Sequence, residues 1–136
     1  LAVQRLHPQA RFPQKAHASD VGFDIFSTNS VTIGAQSTGC VPTGIACRPP
    51  LGSYLQIGSR SSLAAKGVVA VGGVIDPNYT GEVTVLLHNS TDTKYVVDAN
   101  TRIAQLIPLH FAHPNIVEVS SLGKTDRGTN GFGSTG

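Results

Sequence analysis

Short runs of β-favouring residues, each ended by Gly, Pro, Asn, Asp or Ser, recur along almost the whole chain. Val, Ile, Thr, Tyr and Phe suit a pleated, half-buried surface, and the turn formers between them supply the angles a reversal needs. The expected strands are Phe23–Ser27, Ser30–Ile33, Gly39–Ala46, Ser53–Ile57, Val68–Val71, Val74–Ile75, Glu82–His88, Lys94–Val97, Arg102–His110 and Ile116–Val119, with an edge strand near Val3–Leu6. Runs of this length, repeating every 8–12 residues or so, point to an all-β sandwich or barrel. Only Ser61-Ser62-Leu63-Ala64-Ala65-Lys66-Gly67 reads as helix, with a capping Ser at one end and a stop Gly at the other.

At 136 residues the chain is one domain with room for its own core. Charged residues make up only 13%, against roughly 25% in ordinary soluble domains. So sparse a charge suggests a surface partly covered by a partner, most simply another copy of the chain. The net charge of +2 is scattered, with no basic run interleaved with aromatics, which argues against nucleic-acid binding. No apolar run is long enough to span a membrane and no signal-peptide pattern opens the chain, so a soluble intracellular protein is expected. The chain starts at Leu1 and contains no Met, which is expected of a fragment, a trimmed product or a piece cut from a longer precursor. Cys40 and Cys47 would face opposite ways on an unbroken strand, and are expected to be buried free thiols rather than a disulfide.

The segment Gly72-Gly73-Val74-Ile75-Asp76-Pro77-Asn78-Tyr79-Thr80-Gly81-Glu82-Val83 places a carboxylate and a phenol three residues apart in a bend. Val74-Ile75 and Val83 to Leu87 read as the arms of a hairpin, a floor rigid enough to aim Asp76 and Tyr79 at a small molecule. An ordinary turn with an exposed Asp and a core Tyr is the other reading. Gly58-Ser59-Arg60-Ser61-Ser62 joins a strand to the helix and offers donors for phosphate oxygens, or simply a helix start with a solvent-facing Arg. Gln105 interrupts an apolar strand and must bond either to the protein itself or to a phosphate or a metal-bound water. His110 and His113 sit at a strand end with no Cys or carboxylate beside them, so no metal site is expected there. The tail from Arg127 to Gly136 is Gly-rich, and reads either as a frayed end or as a flap that closes over something anionic and planar.

Taken in order, these segments resemble the five motifs of the homotrimeric dUTPase family. The first is Asp20-Val21-Gly22-Phe23-Asp24-Ile25 and the second Ser59-Arg60-Ser61-Ser62-Leu63-Ala64. The third runs from Gly73 through Asp76 and Tyr79 to Gly81, the fourth is Arg102-Ile103-Ala104-Gln105-Leu106-Ile107, and the fifth is the tail from Arg127. Ser59 and Ser62 replace a frequent Pro and Gly of the second motif. That Arg-Ser-Ser form resembles retroviral members and suggests a viral polyprotein origin, with a host cytoplasmic, nuclear or virion location. Val21 replaces the small Ala of the first motif without removing a chemical group.

The resemblance implies a β jelly roll with one short helix, assembled as a homotrimer with active sites between subunits. Residues 1–126 would form the core and 127–136 a flap. The implied reaction is Mg²⁺-dependent hydrolysis of dUTP to dUMP and pyrophosphate, which keeps uracil out of DNA. Asp76 would activate the attacking water, Tyr79 would lie under the deoxyribose, and Gly73, Val74, Ile75 and Thr84 would bond the uracil edge. Arg60, Ser61 and Ser62 would grip the triphosphate. Asp24 and Gln105 would reach the Mg²⁺ through water, with no direct protein ligand. Phe132, Arg127, Gly133, Ser134 and Thr135 would close over the nucleotide. Two rivals are a deoxycytidine triphosphate deaminase using Glu82 and a non-catalytic module that keeps the fold.

Overall fold

The computed structural model describes residues 1–134. Its elements are β1 (Ala2–Arg5), β2 (Phe23–Phe26), β3 (Val31–Ile33), β4 (Ser37–Pro42), β5 (Ile45–Arg48), β6 (Ser53–Gly58), α1 (Ser61–Ala64), β7 (Val68–Val71), β8 (Val74–Ile75), β9 (Thr84–Asn89), β10 (Tyr95–Val97) and β11 (Arg102–His110). The all-β expectation with one short helix holds. The strands form four antiparallel sheets, ordered β1-β5, β10-β3, β2-β11-β6-β8 and β4-β9-β7.

Alternation explains the core. In β6, Ser53, Leu55 and Ile57 are buried while Tyr54, Gln56 and Gly58 are half-exposed, and in β9 Val85, Leu87 and Asn89 point inward. Such residues from all four sheets pack into one apolar cluster with Leu63 of the helix. Each fully buried Val or Leu there contributes about 1.5–3 kcal/mol. Asn89, fully buried, is the polar pin of this core. Its Nδ2 donates to the carbonyls of Ile33, Gly34 and Thr93, and its Oδ1 accepts from the N–H and hydroxyl of Thr91.

Five expectations need correction. Gly39–Ala46 is two strands: the chain breaks at Thr43-Gly44, where β4 leaves its pairing with β9 and β5 goes to β1. Cys40 and Cys47 therefore lie in different sheets and both are free. Cys47 is buried as expected, whereas Cys40 is exposed. The N-cap position is Arg60, which makes no side-chain cap bond, so Ser61 and Ser62 are the helix's first, exposed residues rather than caps. Ile116–Val119 is not a strand: among the described residues no strand pairs with it. The last regular element ends at His110, and residues 112–130 are all exposed.

The fifth correction matters most for the site. Val74-Ile75 and the strand after the bend are not partners. The hairpin arms are β7 and β9, paired from Val68↔Asn89 to Val71↔Leu86. Beyond that point the arms part. β8 crosses to the other large sheet and pairs with Leu55 and Gln56 of β6.

Candidate active site

The parting of the arms makes a slot. β8 is the outer strand of its sheet, so one edge of its backbone has no strand partner. On the opposite wall, Thr84 pairs with Pro42 of β4, while its other side lies past the last β7 pair. Gly73, Val74, Ile75 and Thr84 line one cavity of about 280 Å³ together with Asp76 and Tyr79. All six were picked from the sequence. Ile57, Val71, Leu86, Glu82 and Val83 complete the wall. Their contribution was hidden in the sequence because it depends on which sheet β8 joins.

The bend is held from several sides. The N–H of Tyr79 donates to the carbonyl of Asp76 at 3.1 Å, closing a turn whose middle residues are Pro77 and Asn78. The Tyr79 hydroxyl donates to the Glu82 carbonyl at 2.9 Å. A Cβ on Gly81 would lie 2.5 Å from that hydroxyl, so only Gly lets the phenol fold back over the chain. Gly73 has φ +102°, and its carbonyl accepts from the Ile57 N–H at 2.8 Å. A Cβ there would meet the Cβ of Ile57 at 2.9 Å, so a side chain is excluded by conformation and by space. On the return side, the Val83 N–H donates to Ile45 and the buried Thr43 hydroxyl to the Val83 carbonyl. Asp76 itself is exposed at the mouth, ready to meet water.

A second cluster forms where β2, β6 and β11 meet. Gln105 stands opposite Asp24 in the ladder, and the register shifts between Arg102 and Ala104. The bulge buries Ile103 and Ala104 in succession and turns Arg102 to the face that carries Asp24 and Gln105. Arg102 Nε lies 3.0 Å from Asp24 Oδ2, and Arg60 Nε 3.9 Å from Asp24 Oδ1. Gln105 Nε2 donates to the Ser59 carbonyl at 3.0 Å, and the Ser59 hydroxyl accepts from the Ala70 N–H at 2.9 Å. The structural alternative for Gln105 is thus realised through its amide nitrogen. A single helical turn has little dipole, so the cation here is the Arg60 side chain rather than the helix start.

The tail makes a third group. Arg127 Nε donates to the Asn130 carbonyl, Ser134 N–H to Gly131, and Phe132 is fully exposed at φ +53°. Asp126, Arg127, Phe132, Gly133 and Ser134 surround a small hollow of their own. Thr135 lies outside the described residues. Within one chain, Asp76 lines the hairpin cavity and Arg60 a different cleft, beside Arg102 and Arg11.

The dUTPase family model matches residues 9–136. The chain belongs to the dUTPase family. It is 42% identical over 139 aligned positions to the deoxyuridine 5'-triphosphate nucleotidohydrolase of Picosynechococcus sp., covering 100% of this chain and 98% of that one. The protein of the same name from Paramecium bursaria Chlorella virus 1 is 40% identical, with 100% and 97% covered, and that of Mus musculus 41%, with 100% and 85% covered. Among solved structures, a Staphylococcus bacteriophage 80alpha dUTPase determined with dUpNHpp superposes with a TM-score of 0.92 at 27% identity, covering 99% of this chain and 97% of the other. The jelly roll expected from the sequence is the dUTPase fold. The relatives come from viruses and from cellular organisms alike.

Proposed function

We propose that this protein hydrolyses dUTP to dUMP and pyrophosphate; its relatives are named deoxyuridine 5'-triphosphate nucleotidohydrolases, which supports dUTP as the substrate. One observation carries the reading. Six residues assigned to base, sugar and catalysis from the sequence line a single slot between two strand edges. A uracil entering it takes the place of a missing strand. Its alternating donors and acceptors meet the free backbone groups of Gly73 to Ile75 on one side and Thr84 on the other. Cytosine reverses part of that pattern and leaves buried groups unpaired, and a thymine methyl has no room. The Tyr79 ring, pinned by Glu82 and Gly81, lies under the sugar and excludes a 2′-hydroxyl.

Asp76 holds a water and takes its proton as the oxygen attacks the α-phosphorus, breaking the bond to the bridging oxygen of pyrophosphate. Arg60, with Ser61 and Ser62, neutralises and orients the phosphates. The residues present fit a Mg²⁺ held mainly by phosphates and water. Asp24 offers a carboxylate beside Arg60, and Mg²⁺ usually keeps several waters and binds substrate phosphates. When bound, the ion would neutralise triphosphate charge, and Asp24 and Gln105 would be the residues to reach it, through water.

Asp76 and Arg60 line different surfaces of one chain, which supports sites completed between copies in a homotrimer. The exposed apolar stretch of Ile116, Val117, Val119 and Leu122 supports the same assembly. The tail from Arg127 then covers the nucleotide, with Phe132 on the uracil face and Arg127, Gly133, Ser134 and Thr135 on the phosphates. Among the described residues no helix is long and apolar enough to cross a membrane. The test is pyrophosphate release with Mg²⁺ and dUTP, dCTP, dTTP and UTP side by side. Rapid release from dUTP alone is expected. Ammonia release from dCTP would favour the deaminase instead, with Glu82 as the carboxylate lining the slot.

A further inference from the structure

We propose that Arg102 is a positioning residue for the triphosphate site: it keeps the Asp24 carboxylate engaged, so that Arg60 remains available to the nucleotide. The inference rests on the dUTP-hydrolase reading above and assigns a role inside that same site.

Asp24 has two guanidinium neighbours, and they are not equivalent. Arg102 Nε at 3.0 Å is within hydrogen-bond range, whereas Arg60 Nε at 3.9 Å is held by charge alone. The other tie on Arg60 is a 3.1 Å donation from Nη1 to the carbonyl of Arg102 itself. Arg102 thus contacts Arg60 through its backbone and competes with it through its side chain.

Arg102, although the more exposed of the two, has a hold that Arg60 lacks. Its guanidinium stands 5.5 Å over the ring of Phe26, which is buried, and Arg11 stacks on the same ring at 3.8 Å. The bulge between Arg102 and Ala104 is what places that stem on the Asp24 face. Arg11, Arg60 and Arg102 line one cleft of about 390 Å³, against a single acidic lining residue, Asp98. Two guanidinium groups share the Asp24 carboxylate, which leaves a surplus positive charge for an anion.

Without Arg102, the half-buried Asp24 has only Arg60 to pair with. A closed Asp24–Arg60 pair then has to be broken before phosphate binds. Base and sugar, held in the separate hairpin slot, do not feel this.

The test measures binding of an imido-bridged, non-hydrolysable dUTP analogue with Mg²⁺, and of dUMP, to the full chain by calorimetry. Arg102→Met is expected to weaken the analogue about tenfold, the loss of one charge-assisted contact, while dUMP affinity stays within about twofold. Arg102→Gln still donates to Asp24, so its loss is smaller, and it carries the test if the Met variant does not fold. Equal losses for analogue and dUMP, or equal losses in the Gln and Met variants, would overturn the role, since scaffold damage or simple charge removal would then suffice. A wild-type chain that binds neither nucleotide sinks the underlying hydrolase reading, and this proposal with it.

Discussion

The hydroxyl of Tyr79 reaches back 2.9 Å to the carbonyl of Glu82, tying the far side of the bend to the side that begins with Asp76. The same ring packs against the bare Cα of Gly81. In the proposed mechanism, sugar selectivity therefore depends on a residue with no side chain.

Gly81→Ala tests that dependence. Its methyl would fall 2.5 Å from the hydroxyl and 2.6 Å from the ring carbon that bears it, so the ring must swing away. The expected result is a rise of about tenfold or more in the UTP-to-dUTP ratio of kcat/KM, because sub-site shape discriminates modestly per lost contact. The two substrates assayed in parallel give that ratio directly.

Removal of residues from Arg127 onward tests the flap. In the described chain these residues bond to one another and, through the Gly128 N–H, to the hydroxyl of the exposed Thr125, so their loss leaves the core intact. The truncated protein is expected to keep its melting temperature and oligomeric state and to lose most of its turnover, since closure excludes water and adds charge at the phosphates. Full activity in the truncated protein would remove the tail from the mechanism.

The two thiols should differ. Burial pushes the Cys47 thiol from 9.0 up to about 11, partly countered by the N-terminal ammonium group, while Cys40 is exposed. A thiol whose folded value is raised keeps its proton longer folded than unfolded. Its stabilising effect is full below pH 9 and is lost as pH climbs towards 11. Unfolding midpoints measured from pH 8 to 11 should fall, and Cys47→Ala should flatten that decline. In the native protein an alkylating reagent should label Cys40 well before Cys47.

Much of this was legible in the sequence, for a physical reason. β6 and β9 alternate strictly, so their inward faces follow from residue type alone, and β7, β8 and β11 have the limits their turn residues set. What escaped depends on pairing between distant segments. Val74-Ile75 has too few residues to declare its sheet, and only the coordinates place it against Leu55 and Gln56. Arg102 and Gln105, three apart, should face opposite ways in a regular strand. The bulge that brings both beside Asp24 leaves its mark only as consecutive buried residues, Ile103 and Ala104. Ile116–Val119 has strand composition but no strand partner among the described residues, a fact composition cannot express.

The central claim is that Asp76 activates the attacking water while the slot beside it selects deoxyuridine. Single-turnover pyrophosphate release from dUTP with Mg²⁺, compared between the wild-type chain and Asp76→Asn, tests it most directly. The substitution keeps the shape and removes the base, so nucleotide binding should persist while the rate falls by about 10²–10⁴-fold. An unchanged rate in Asp76→Asn, with dUTP still bound, would contradict the account.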